Sequence, residues 1–181
     1  HASVARYPGR IENLHQARKT TRPGSVADLA LSSMRVQEGN LDLKIMIKKP
    51  TAANISKAAA LLREGNLVAF PTETVYGLGA NALDSKAVRK IFSAKKRPLF
   101  DPLIVHVSDI GMLKEMGVVL DKKAERLASR FWPGPLTLIV KRAECVPRLV
   151  TSGLETMAIR IPDHLVALKL IRAAGVPVAA P

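Results

Sequence analysis

Leu67-Val-Ala-Phe-Pro-Thr-Glu-Thr-Val-Tyr-Gly-Leu-Gly79 is the stretch on which the reading turns, and Lys95-Lys-Arg-Pro98 follows it. The apolar run Leu67–Phe70 has the length of a short buried strand and breaks at Pro71. Thr72, Glu73 and Thr74 then place two hydroxyls and a carboxylate at the strand's end, ahead of Tyr76, Gly77 and Gly79. Asp84 suits the N-cap of a helix over 85–96, in which Val88, Ile91, Phe92 and Lys95 share one stripe. A strand, a hydroxyl-rich loop and a helix ending in a basic cluster describe a site for a small polar ligand beside a polyphosphate.

The neighbouring segments extend this pattern into a fold. Leu41, Leu43, Ile45 and Ile47 alternate with Asp42, Lys44 and Lys48, which predicts a strand with one buried face. Thr51 is placed to cap a helix carrying Ile55, Ala58, Ala59 and Leu62 on one side, and Gly65 to stop it. Further strands are expected at 103–107, 136–140, 156–161 and 176–180. Between them fall a weak helical stretch, a helix over 122–132 stopped by Pro133-Gly134-Pro135, and a helix capped by Asp163. The alternation predicts an α/β fold built on a twisted mixed β-sheet with flanking helices. Residues 1–40 show no sustained period and are rich in Arg, Ser and Gly. They read as a disordered leader or a transit segment, with the folded domain over 41–181.

Bulk properties narrow the function. A chain of 181 residues with 48% apolar content has room for one sizeable core. No apolar run approaches the roughly 20 residues of a membrane helix, so no membrane partner is expected. One cysteine, Cys145, excludes an internal disulfide and a multi-cysteine zinc site. A reducing, cytoplasmic setting is expected, or a mitochondrion or plastid if residues 1–40 are a transit segment. The formal charge of +13 calls for an anionic partner, either a nucleotide or a nucleic acid such as tRNA or double-stranded RNA.

Several residues carry candidate chemistry. Lys95 lies on the inward stripe of its helix, where an ammonium needs an anion or a route to water; a lysine reaching out to offset the helix dipole has the same sequence. Arg97 leaves that helix with a planar guanidinium suited to phosphate oxygens, and the two cations match the charge of a triphosphate. His106 sits in an apolar strand, where a core histidine with a satisfied hydrogen bond would also fit. Thr156, Ala158 and Arg160 share one strand face, with Met157, Ile159 and Ile161 on the core side. That polar face is expected to look onto solvent or a cleft, and Thr156 and Arg160 would lie roughly 13 Å apart. Gly77-Leu-Gly-Ala-Asn-Ala82 fits a dinucleotide fingerprint only formally, because Pro71–Tyr76 separate it from its strand. Cys145 has no orienting base near it in the sequence, and the four histidines have no metal-ligand spacing.

Five segments in order resemble the YrdC-type threonylcarbamoyl-AMP synthase family. They are Pro71-Thr-Glu-Thr-Val-Tyr-Gly-Leu78, Lys95-Lys-Arg-Pro98, Pro102-Leu-Ile-Val-His106, Phe131-Trp-Pro-Gly-Pro-Leu-Thr137 and Ala158-Ile-Arg-Ile-Pro162. The resemblance spans about residues 41–181 and implies a YrdC-like sheet with a central, positively charged cleft. It implies an L-threonylcarbamoyladenylate synthase that makes threonylcarbamoyl-AMP and pyrophosphate from L-threonine, bicarbonate and ATP with Mg²⁺. A downstream transferase would pass the threonylcarbamoyl group to an adenosine beside the anticodon of tRNA. By resemblance, Thr74, His106, Arg160 and the backbone at Ala180 contact L-threonine. Lys95, Arg97, position 101 and Thr156 serve ATP, with Lys95 and Arg97 the catalytic pair; no residue is implied as a resident metal ligand. Position 101 departs from the pattern, being Asp where the family usually has Asn. The family's Ser-x-Asn signature is expected just beyond Pro181, so the resemblance implies a chain shortened at its C-terminus. Two other readings share these motifs: a non-catalytic YrdC-like RNA-binding module, and the related domain of hydrogenase-maturation carbamoyltransferases.

Overall fold

In the computed structural model, residues 29–37 and 40–181 are described, with side chains from residue 46 onward. The chain order is β1 (Leu29–Gln37), β2 (Asn40–Lys48), α1 (Ala52–Arg63), β3 (Val68–Phe70), β4 (Gly77–Asn81), α2 (Ser85–Lys95), β5 (Ile104–His106), α3 (Ile110–Glu115), α4 (Lys122–Phe131), β6 (Leu138–Lys141), β7 (Thr156–Arg160), α5 (Leu165–Ala174) and β8 (Val178–Ala180). The strands form one mixed sheet in the order β2-β1-β3-β4-β8-β5-β7-β6. Only β5 and β7 run parallel among these neighbours. The expected α/β fold is therefore present.

Helix positions follow the capping chemistry. The Thr51 hydroxyl accepts from the Asn54 amide and opens α1, whose Ile55, Ala58, Ala59 and Leu62 are buried. Asp84 caps α2 as its position predicts. Asp163 does not cap α5: the cap is His164, whose Nδ1 accepts from Val166 N–H at 3.2 Å. Strand β6 starts at Leu138, later than the pattern suggests, because the preceding residues are a loop. There the Leu136 carbonyl accepts from the Trp132 indole N–H at 2.7 Å.

Cross-strand pairing sorts side chains onto two faces. Ala80, Ala179, Val105 and Ile159 stand in line on one face, where they pack with Val88, Ile91 and Phe92 of α2. On the other face, α1 and α5 cover Val68, Phe70, Val178 and Ala180. Their cover stops there. Beyond it, Ile104 and Ala158 are half-buried, Thr156 is exposed, and Ile139 is 68% exposed. Among the described residues, half of this face is thus a bare floor.

Three expectations change. Strand β4 occupies a stretch read as loop and glycines; Gly77 and Gly79 belong to a hairpin with β3. A Cβ on Gly79 would lie 2.6 Å from Val178 Cγ1 and 2.7 Å from Phe70 Cε1. The glycines are there so that the Phe70 ring can lie across β4. Ile47, expected on a buried face, is 56% exposed because β2 is the outer strand of the sheet and Met46 on its other side is exposed too. Strand β1 lies within residues 1–40, where no period is visible, and owes its place to pairing with β2 and β3. Of the leader or transit reading of residues 1–40, the parts at 1–28 and 38–39 lie outside the described residues.

Candidate functional site

The bare floor has a different group of side chains at each end. At one end, β5 and β7 run parallel and place His106 in register with Arg160. Both are buried, at 4% and 7% exposure. The Arg160 Nε–H donates to the Gly134 carbonyl at 3.1 Å, so the Pro133-Gly134-Pro135 turn fixes the guanidinium. Nη2 forms a 2.7 Å ion pair with Glu73 Oε1 and donates to Thr74 Oγ1 at 3.4 Å. Thr74 is itself steadied by Thr72, whose hydroxyl lies 3.0 Å away and accepts from the Thr74 amide. The loop after β3 thereby meets a strand 86 residues further along the chain.

The electrostatics of this end follow from burial. Burial, reinforced by the Arg160 charge, pushes the His106 imidazole down to about 4, so it is neutral at pH 7. Its ring meets the Phe70 ring edge-on at 5.7 Å, and its Nδ1 has no hydrogen-bond partner among the described residues. A buried ring nitrogen without a partner costs free energy unless a ligand or water engages it. Burial opposes the charge of Glu73, but hydrogen bonds from Arg160 and from the Asp163 backbone N–H hold its carboxyl below the usual range.

At the other end stand the cations read as a phosphate site. Ile104 pairs with Ala158, so the loop entering β5 reaches the same end of the sheet as Thr156. Lys95 is exposed, which is the route-to-water alternative for its stripe position, because α2 ends at this residue and Lys96 turns out of the helix in the left-handed region at φ 49°. Arg97 folds back on its own loop: Nε–H donates to the Asp101 carbonyl at 3.1 Å and Nη2 to the Pro102 carbonyl at 3.0 Å. Nη2 also pairs with Asp101 Oδ1 at 2.9 Å. The unusual Asp101 is therefore neutralised within the chain rather than aimed at a ligand.

The structure brings Thr74, His106 and Arg160 together, and joins Arg97 to Asp101. Ala180 lies in β8 opposite Ile104, beside the same floor. Of the two expected settings for Arg160, solvent or a cleft, open solvent does not hold: Arg160 is buried and Glu73 pairs with it. Sequence reasoning passed over Glu73 and Gly134 as site residues. The only available signal was an acid between two threonines and a glycine between two prolines. Glycine at 134 is required locally, since a Cβ would sit 2.3 Å from the Phe131 carbonyl oxygen.

A cavity of about 620 Å³ lies elsewhere, among Leu113, Val118, Ala128, Trp132 and Leu168. It holds none of these candidate residues, and its walls are mainly apolar. The floor end carrying Arg160 and the unpartnered His106 nitrogen is better equipped to orient a polar ligand.

The Sua5/YciO/YrdC family model, described as "Telomere recombination", matches residues 60–181. The chain belongs to this family. Threonylcarbamoyl-AMP synthase of Pyrococcus abyssi is 56% identical over 124 residues, covering 68% of this chain and 36% of that protein. The synthase of Bacillus subtilis is 57% identical over 128 residues, covering 70% and 37%. The chain thus spans little over a third of the length of these relatives. Among solved structures, P. abyssi Sua5 complexed with L-threonine superposes with a TM-score of 0.69 at 55% identity, covering 71% of this chain and 38% of that one. YciO of E. coli gives 0.65 at 26% identity, covering 72% and 64%. No helix among the described residues is long and apolar enough to cross a membrane.

Proposed function

We propose that this chain carries the substrate floor of an L-threonylcarbamoyladenylate synthase, with threonine at the Arg160 end and ATP at the Lys95–Arg97 end. One observation carries the reading: at one end of the uncovered sheet face the buried Arg160 adjoins a buried, neutral histidine whose Nδ1 has no partner among the described residues, while the loop carrying Arg97 enters β5 at the other end. The named relatives and the threonine-bound Sua5 support it. At the first end the threonine carboxylate engages Arg160, with Thr74, the His106 Nδ1 and the Ala180 backbone supplying polar contacts. Because Arg160 Nε and Nη2 already serve Gly134, Glu73 and Thr74, the carboxylate must share or displace these bonds.

The chemistry asks for positioning and charge neutralisation more than for a nucleophile. The threonine amine adds to bicarbonate with loss of water, giving a carbamate. A carbamate oxygen then attacks the α-phosphorus of ATP, and the bond to pyrophosphate breaks. Lys95 and Arg97 stabilise the charge on the departing pyrophosphate, with Thr156 nearby. No group of three or more His, Cys, Asp or Glu side chains able to hold a metal ion occurs among the described residues. Mg²⁺ would arrive with ATP and offset triphosphate charge, and Asp101 is the carboxylate of this end that could approach it once freed from Arg97. The product would go to a transferase acting on tRNA.

The test is pyrophosphate release from ATP by the full-length protein, with and without threonine and bicarbonate, alongside threonine titration of this chain. Release that needs both co-substrates supports the synthase. Tight tRNA or double-stranded RNA binding without pyrophosphate release would replace it with the RNA-binding reading, which the charge of +13 also accommodates.

A further inference from the structure

Glu73 already occupies the strongest donor of Arg160 before any ligand is considered. Through this ion pair it ties the loop after β3 to the end of β7. The charges at this end then sum in an instructive way. Arg160 contributes one positive charge, Glu73 one negative charge, and His106 none at pH 7. A simple carboxylate anion arriving here would compete with Glu73 for a guanidinium that is already paired. A zwitterion meets no such penalty, because it brings a partner for each member of the pair.

We infer that Glu73 is a specificity-determining residue, selecting zwitterionic α-amino acids by pairing with their ammonium while Arg160 takes their carboxylate. The inference rests on the reading that an amino acid binds this end, and deepens it by naming the group that recognises the amine. It gives the acid of the Thr-Glu-Thr loop a role that the candidate set left empty. A guanidinium held by Gly134 on one nitrogen and by Glu73 on another is fixed in orientation, so the exchange needs little rearrangement.

The experiment is calorimetric titration at pH 7.5 with L-threonine, with β-hydroxybutyrate (threonine without its amino group) and with ATP. The wild-type chain is expected to prefer threonine by roughly 10- to 100-fold, the worth of one charge-assisted pairing. Glu73→Gln should weaken threonine by a similar factor, strengthen β-hydroxybutyrate, and leave ATP unchanged. Glu73→Asp keeps the charge on a shorter arm and should retain the preference with weaker threonine binding. Wild-type preference persisting in Glu73→Gln would overturn the inference. So would a parallel loss of threonine, β-hydroxybutyrate and ATP binding in both variants, which would mark Glu73 as a strut only. If Glu73→Gln does not fold, unchanged threonine affinity in Glu73→Asp overturns it. Failure of the unmutated chain to bind threonine is a separate result, because it removes the amino-acid reading itself and the inference with it.

Discussion

The two ends of the floor pair the same kinds of charge in different surroundings. Arg160 and Glu73 have side chains 8% and 20% exposed; Arg97 and Asp101 have side chains 22% and 47% exposed. The first pair joins a strand to a distant loop, and the second closes within four residues of its own loop. A sheltered pair between remote segments helps hold the fold, and losing one partner leaves a desolvated charge. An exposed local pair is worth at most about 1 kcal/mol and can open cheaply. The Arg160 end is therefore built in advance, whereas the Arg97 end is free to rearrange. Phe100, 82% exposed beside Asp101, belongs to that looser end.

Arg160→Ala is the severest way to break this contrast. It removes a buried guanidinium with its bonds to Gly134, Glu73 and Thr74, and should cost on the order of 3 kcal/mol in denaturant unfolding. Threonine affinity should fall roughly 100-fold, with ATP affinity little changed. Equal losses for both ligands would remove the division between the ends.

A comparable effect is expected from acid. The folded His106 pKa of about 4 lies below its unfolded value, so the unfolded chain takes up a proton first as pH falls. The contribution is complete above about pH 6.5 and is lost on descending towards pH 4, amounting to on the order of 3 kcal/mol. Unfolding free energies measured across this window should slope for the wild type and flatten for His106→Leu. An equal slope in both would place the titration elsewhere.

Gly79→Ala should cost about 2 kcal/mol, because the added methyl meets the Phe70 ring and Val178 in a packed layer. Thermal unfolding would show it, and an unchanged midpoint would mean that the ring relaxes freely.

The gentlest change is Asp101→Asn at the open end. Stability should move by less than about 1 kcal/mol. ATP should bind a few-fold more tightly as Arg97 is released, whereas Arg97→Ala should weaken ATP and spare threonine. Tighter threonine binding in Asp101→Asn would show that the ends are not independent.

The sequence made legible what local rules control. Thr51 and Asp84 cap helices because their side chains reach amides within their own first turn, and the α1 core face follows its 3.6 period. It was silent where the cause is remote. Gly77 and Gly79 look like a flexible loop until the Phe70 ring and β8 are known to press on them. Lys95 shares a helical stripe with Phe92, yet the helix ends there and the side chain reaches solvent. Glu73 stands out only as one polar group of its loop, because nothing local announces Arg160 as its partner. The motif residues Thr74, His106 and Arg160 could be picked out from type and order, but their meeting is a property of parallel β5/β7 pairing.

The sheet's two outer strands carry a colloidal consequence. Strand β2 exposes Met46 and Ile47 and strand β6 exposes Ile139, each on a sheet edge that, among the described residues, pairs with no further strand and that another copy could extend. Mutual repulsion from a charge of +13 keeps copies apart at low ionic strength, and added salt shortens its reach to about 10 Å near 0.1 M. For this chain, raising the salt to steady the protein in solution would instead bring its edges together.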